Sequence, residues 1–197
     1  MLAGFTGWID YDRKKLRAEP LETRIEWFDF RVRLVVINPL RLILETQITA
    51  DPESSALLIL GVSLCCAIEA MGKFVVGNKP HDERFAAFIA DYMSPELRTG
   101  KMGQDSYADV LRAHFRNGLT HGFAVCHGGF EGSRGNPYFE VKLDGSYESL
   151  FVNPSILFDD FVAGFEKYVV MLRATPSGDP RIAMFASVFD SVFIQGK

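Results

Sequence analysis

The sequence predicts a mainly α protein, a helical bundle of four to six helices carrying a small β-hairpin insertion. Three features lead there. Apolar residues recur at helical spacing over most of the chain, the cap-like cluster Asp51-Pro52-Glu53 and the break Asn153-Pro154-Ser155 precede the strongest runs, and one short stretch alternates apolar with polar. With 197 residues, 48% apolar and 23% charged, the chain has material for one sizeable core, so residues 1–197 read as a single domain with the hairpin at about 137–152.

From about Tyr11 to Glu45, Leu16, Leu21, Ile25, Phe28 and Val32 mark one face of a long helical region. Pro20 and Pro39 should break or kink it, because proline lacks the N–H and crowds the preceding turn. Asp51 as N-cap with Pro52 at the first helical position then opens a run to about Val76 that is apolar almost all round, the pattern of a helix at the centre of a bundle. Its apolar stretch from Ala56 to Ile68 is closed by Glu69 and falls short of the ~20 residues a bilayer needs.

After the polar link GNKPHD, Phe85, Phe88 and Ile89 share a face of a shorter helix over Glu83 to Met93, and SPELRTGKMGQ reads as a loop. Asp105 is placed to cap a helix from about Ser106, with Tyr107, Val110, Leu111, Phe115 and Leu119 as its stripe. Glycines crowd the segment from Gly122 to Pro137, which reads as an exposed loop. YFEVKLDGSYESLFV then forms a hairpin around Asp144-Gly145, Ile156 to Ala174 an amphipathic helix, and Arg181 to Phe193 a terminal helix.

The net charge of −4 argues against a nonspecific nucleic-acid coat, since affinity for phosphate grows with the number of cations brought to it, yet a local basic site stays compatible with it. No basic start leads into an uninterrupted apolar run, and three cysteines, two of them adjacent at Cys65 and Cys66 within an apolar stretch, fit buried thiols in a reducing compartment. A cytoplasmic protein with no membrane partner is expected.

The chemistry concentrates in HFRNGLTHGFAVCHGG. On an ideal helix Asn117 and His121 lie one turn apart on one face, so the amide could orient the imidazole, while the long fork of Arg116 could reach a shared phosphate. Such a trio suits phosphodiester chemistry: the imidazole moves protons near neutral pH and the guanidinium binds developing charge in two-point fashion. Plainer roles exist for each. Arg116 could form a surface ion pair, His121 could cap a helix C-terminus ahead of Gly122, and Glu69 could pair with Lys73 one turn on. A helical core this apolar should not depend on the site, so loss of either Arg116 or His121 is expected to change stability by no more than about 1 kcal/mol, and a large drop would favour the plainer roles. His121, Cys126 and His127 make a weak zinc set, Cys126 beside His127 a weak nucleophile pair, and GGFEGSRGN lacks the GK[ST] ending of a phosphate loop. No metal or cofactor is expected.

FRNGLTHG late in a helical bundle resembles the HEPN superfamily, whose hallmark is an Arg, four to six residues, then a His, with a polar residue directly after the Arg. Arg116, Asn117 and His121 match each element. The resemblance implies four or five helices, a homodimer that brings two motifs together, and metal-independent endoribonuclease activity through attack of the ribose 2′-hydroxyl. It also implies a toxin or defence setting with an antitoxin-type protein partner. Many members carry an acid on an earlier helix, for which Glu69 in CCAIEAMGKF is the match. Other members are noncatalytic, so the alternative is a helical module that binds RNA, a nucleotide or a protein.

Overall fold

A computed structural model describes residues 13–48, 56–118, 127–131 and 137–195, and it is mainly helical. Helix α1 (Arg13–Ala18) buries Leu16 and stops before Pro20, which starts α2 (Leu21–Val32). The second proline acts differently from expectation. The backbone stays helical through a π-helical turn (Arg33–Ile37), α3 (Asn38–Ile43) and a second π-helical turn (Leu44–Ile48), so Pro39 does not break the rod. Proline at 39 would press on the carbonyl of Val35, and the wider turn that contains Val35 gives that ring room.

Helix α4 (Ala56–Val76) is the central element; Leu60, Leu64 and Ile68 are fully buried, while Leu58 and Ile59 face outward. Asp51 and Pro52, expected to open it, lie outside the described residues. Among the described residues it is the one helix long and apolar enough to cross a membrane, and 56% of its apolar window is buried within the protein. Helix α5 (His81–Tyr92) runs against it, packed so closely that a Cβ on Gly72 would fall 1.8 Å from the Arg84 carbonyl oxygen. No side chain fits there. The expected loop after α5 instead folds into a short helix, α6 (Glu96–Thr99), and a ribbon of β1 (Lys101–Met102) with β2 (Asp105–Ser106).

Asp105 does not cap the next helix. Ser106 does: its hydroxyl accepts from the Asp109 N–H and the Asp109 carboxylate accepts from the Ser106 N–H, closing a capping box at the start of α7 (Tyr107–Val110). A π-helical turn (Leu111–Arg116) continues α7, burying Leu111 and Phe115. Within the stretch expected to be only a loop, Gly128–Phe130 forms a strand, β3. It pairs in parallel with β5 (Tyr147–Val152), which pairs antiparallel with β4 (Phe139–Asp144), giving the order β3-β5-β4. Gly128 permits the parallel pairing: its φ is 142°, and a Cβ there would meet the Leu150 oxygen at 1.8 Å.

The β4–β5 hairpin turns on Gly145 (φ 61°) and Ser146, one residue beyond the expected dipeptide. Phe139, Leu150 and Val152 are buried, and the Tyr138 hydroxyl donates to Asp160 Oδ2 at 2.9 Å on helix α8 (Pro154–Ala174), tying the hairpin to the bundle. Asn153 caps α8, accepting from Ser155 N–H at 3.1 Å, with Pro154 at the first position. Helix α9 (Pro180–Phe189), capped by Asp179, and a π-helical turn (Asp190–Ile194) end the fold. The core is aromatic. Phe28 lies 4.7 Å from Phe74 and 5.4 Å from Phe185 between ring centroids, knitting α2, α4 and α9 together at roughly 1.5–3 kcal/mol per buried ring.

Candidate functional site

Glu69 sits one turn before the close approach at Gly72, on the face of α4 that meets both α5 and the π-helical turn Leu111–Arg116. Its carboxylate is mostly buried, with 13% of the side chain exposed, and such a group needs partners. Arg116 supplies them through two nitrogens: Nε donates to Glu69 Oε2 at 2.8 Å and Nη2 lies 2.6 Å from the same oxygen. The third arm of the fork, Nη1, donates to Asn117 Oδ1 at 2.8 Å. Three of the four residues singled out in the sequence therefore converge from two elements 47 positions apart. The fourth, His121, lies outside the described residues.

Two sequence expectations change here. Glu69 does not pair with Lys73, which forms no ion pair among the described residues, because its carboxylate turns toward Arg116. Arg116 is not a surface cation either, since only 19% of its side chain is exposed. Asn117 Oδ1 accepts from the Arg116 guanidinium and so orients it; the expected contact of Asn117 with His121 lies outside the described residues.

Sequence reasoning missed His81. As the first residue of α5, directly after Pro80, it places Nδ1 against the other oxygen of Glu69, Oε1, and a proton on Nδ1 donates to that carboxylate. Its ring is 68% exposed, open to solvent on its far side. The signal available in GNKPHD was slight: a histidine at a helix start has no spacing relation to a glutamate twelve residues earlier on another helix.

These groups line a cleft of about 330 Å³, with Arg112 and Asp82 at its polar edge and Pro80 and Phe85 as its apolar wall. The arrangement can present a guanidinium held on two sides and an exposed imidazole backed by a carboxylate to one small polar ligand. Nearby Cys65 is inert, since burial pushes its thiol up to about 12.

Two further histidines pair at the sheet side of the same π-helical turn. The rings of His114 and His127 meet edge to face at 4.8 Å. Burial, and then the neighbouring imidazole, lower the His114 pKa from its ordinary value, outweighing the opposite pull of Asp105. Cys126, the suggested third member of a zinc or nucleophile set with His127, lies outside the described residues, as does His121. Among the described residues no three His, Cys, Asp or Glu side chains gather as a metal site would need. No protein-family model, curated protein or solved structure matches the chain.

Proposed function

We propose that the protein is a metal-independent endoribonuclease of HEPN type, cytoplasmic, acting as a homodimer and held in check by an antitoxin-type protein partner. The observation that carries this reading is the anchoring of Arg116 by Glu69 and Asn117 on the wall of an open cleft. An arginine fixed on two sides loses little freedom when it meets a phosphate, so its interaction with the pentacoordinate transition state is preorganised.

In the reaction the ribose 2′-oxygen gives its proton to a base, attacks the adjacent phosphorus, and expels the 5′-oxygen of the next nucleotide, which takes a proton. The products are a 2′,3′-cyclic phosphate and a free 5′-hydroxyl. His121 is the proton-transfer group, Arg116 neutralises the charge that builds on the phosphoryl oxygens, and Glu69 with Asn117 holds that arginine in place.

The test is cleavage of structured and unstructured RNA in EDTA by the wild type and His121→Ala, with product ends analysed. We expect cyclic phosphate ends from the wild type and a rate lower by about 10²–10⁴ in the variant. Wild-type protein that cuts no RNA would instead favour a noncatalytic module binding RNA, a nucleotide or a protein. Net charge leans that way, because −4 is unusual for a protein whose partner is a polyanion.

A further inference from the structure

A second pocket of about 390 Å³ adjoins the cleft and shares Glu69 and Arg116 with it. Lys73 and Arg84 add two further cations to its lining. The helices set this grouping. Lys73 follows Glu69 by four residues on α4, and Arg84 follows His81 by three on α5, so each pair shares a helix face. The close approach at Gly72 presses the two faces together beside that point.

Charge is uncompensated here. Among the described residues Glu69 is the one carboxylate lining the pocket, and Arg116 and His81 already occupy both of its oxygens. Neither Lys73 nor Arg84 forms an ion pair among the described residues. Cys66 is exposed, not buried as expected, yet partial desolvation raises its thiol above the usual value, so it brings no negative charge near neutral pH. The Arg84 Nε is itself buried and has no hydrogen-bond partner among the described residues, an expensive condition for a charged donor.

We propose that this pocket is an anion subsite in which Lys73 and Arg84 bind a phosphate of the RNA strand next to the one held at Arg116. The identity of the anion as RNA phosphate rests on the ribonuclease reading; the anion site itself rests on the pocket and its unmatched cations. An arginine fork offers a phosphate two parallel N–H donors and a lysine ammonium adds a point charge. Shared walls make the two sites neighbours along one strand, so the subsite positions the scissile phosphate without touching the reacting atoms.

The experiment measures binding of a short 2′-O-methyl oligoribonucleotide, which lacks the attacking hydroxyl, by fluorescence anisotropy over a range of salt. Wild type is compared with Lys73→Gln, Arg84→Gln and Arg84→Lys. Each Gln variant is expected to bind about tenfold more weakly and to lower the slope of log affinity against log salt by about one, with Arg84→Lys recovering part of the loss. Circular dichroism and melting accompany each variant; should Arg84→Gln fail to fold, Lys73→Gln carries the test. Unchanged affinity and slope in the Gln variants overturn the proposal, as does a wild type that binds no oligonucleotide. Calorimetry with inorganic phosphate separates the sources: saturable phosphate binding lost in Lys73→Gln, without oligonucleotide binding, overturns the assignment to RNA. Loss of oligonucleotide affinity in the variants of a wild type that cleaves nothing would sink the nuclease and keep the subsite. Intact cleavage with unchanged binding would do the reverse.

Discussion

The Glu69–Arg116 pair makes its strongest statement through what its loss would expose. Arg116→Ala would leave a carboxylate that is 13% exposed with His81 as its remaining named partner. Breaking a fully buried pair costs about 3–5 kcal/mol, and partial solvent access discounts that to about 1–3 kcal/mol here. This exceeds the change of about 1 kcal/mol expected of a core that does not depend on the site, and gives the Glu69–Arg116 pair a structural role as well. Urea denaturation near pH 7 of Arg116→Ala, Glu69→Gln and the double variant should show that the single losses do not add, with a coupling of about 0.5–3 kcal/mol. Additive losses would mean that the two side chains stabilise the fold independently. At this scale the candidate site was legible by residue type: Arg116, Asn117 and Glu69 were all recognisable in the sequence and do converge. What could not be read was their pairing, and His81 was invisible, because contact between α4 and the start of α5 depends on how two helices cross.

Among the elements, two helix caps went unread in the sequence although proline marks both places. Asn153 and Asp179 stand at the starts of α8 and α9 with proline next in line, and both accept from backbone N–H groups there. Asp179 also pairs with Arg181 at 2.8 Å, and hydrogen bonding to that guanidinium holds its carboxyl down at about 2 from an ordinary 3.8. A carboxylate whose folded pKa is depressed stabilises the fold fully above the unfolded value and loses that contribution as pH falls through the folded one. Wild type should therefore be more stable than Asp179→Asn above about pH 4, and the two should converge as pH drops toward about 2. Melting curves taken across that range check it; a difference that is flat with pH would place the effect in the cap geometry alone. The elements missed in the sequence were those with little pattern of their own. The strand β3 is three residues long, two of them glycine, and its pairing depends on β5 about twenty residues later. The capping box at Ser106 lay one residue from the expected cap, since Asp105 and Ser106 are equally suited to the role and β1 claims Asp105 as its ribbon partner.

For the whole molecule, the apolar surface bears on assembly. Val35, Leu42, Leu58 and Ile59 are between 43% and 60% exposed, and a groove of about 470 Å³ runs between Val35, Pro39 and Ile43 on one side and Ala67 and Ala70 of α4 on the other. For the proposed homodimer, Val35→Glu and Ile59→Glu should each weaken self-association by about tenfold or more in sedimentation equilibrium while the melting midpoint stays near that of wild type. A wild type that is monomeric at every concentration tested would remove the dimer from the proposal. The amino-acid order alone settled the mainly helical character, the C-terminal end of α4, the span of α8 and the presence of the hairpin, because propensity, periodicity and turn chemistry act over a few neighbouring residues. Only tertiary packing decided that Pro39 lies within a continuous rod, that β3 joins the sheet, and that Glu69 faces Arg116 and His81 and not Lys73. Those outcomes depend on which surfaces meet once the core closes, and residues that are distant in sequence carry no local record of that meeting.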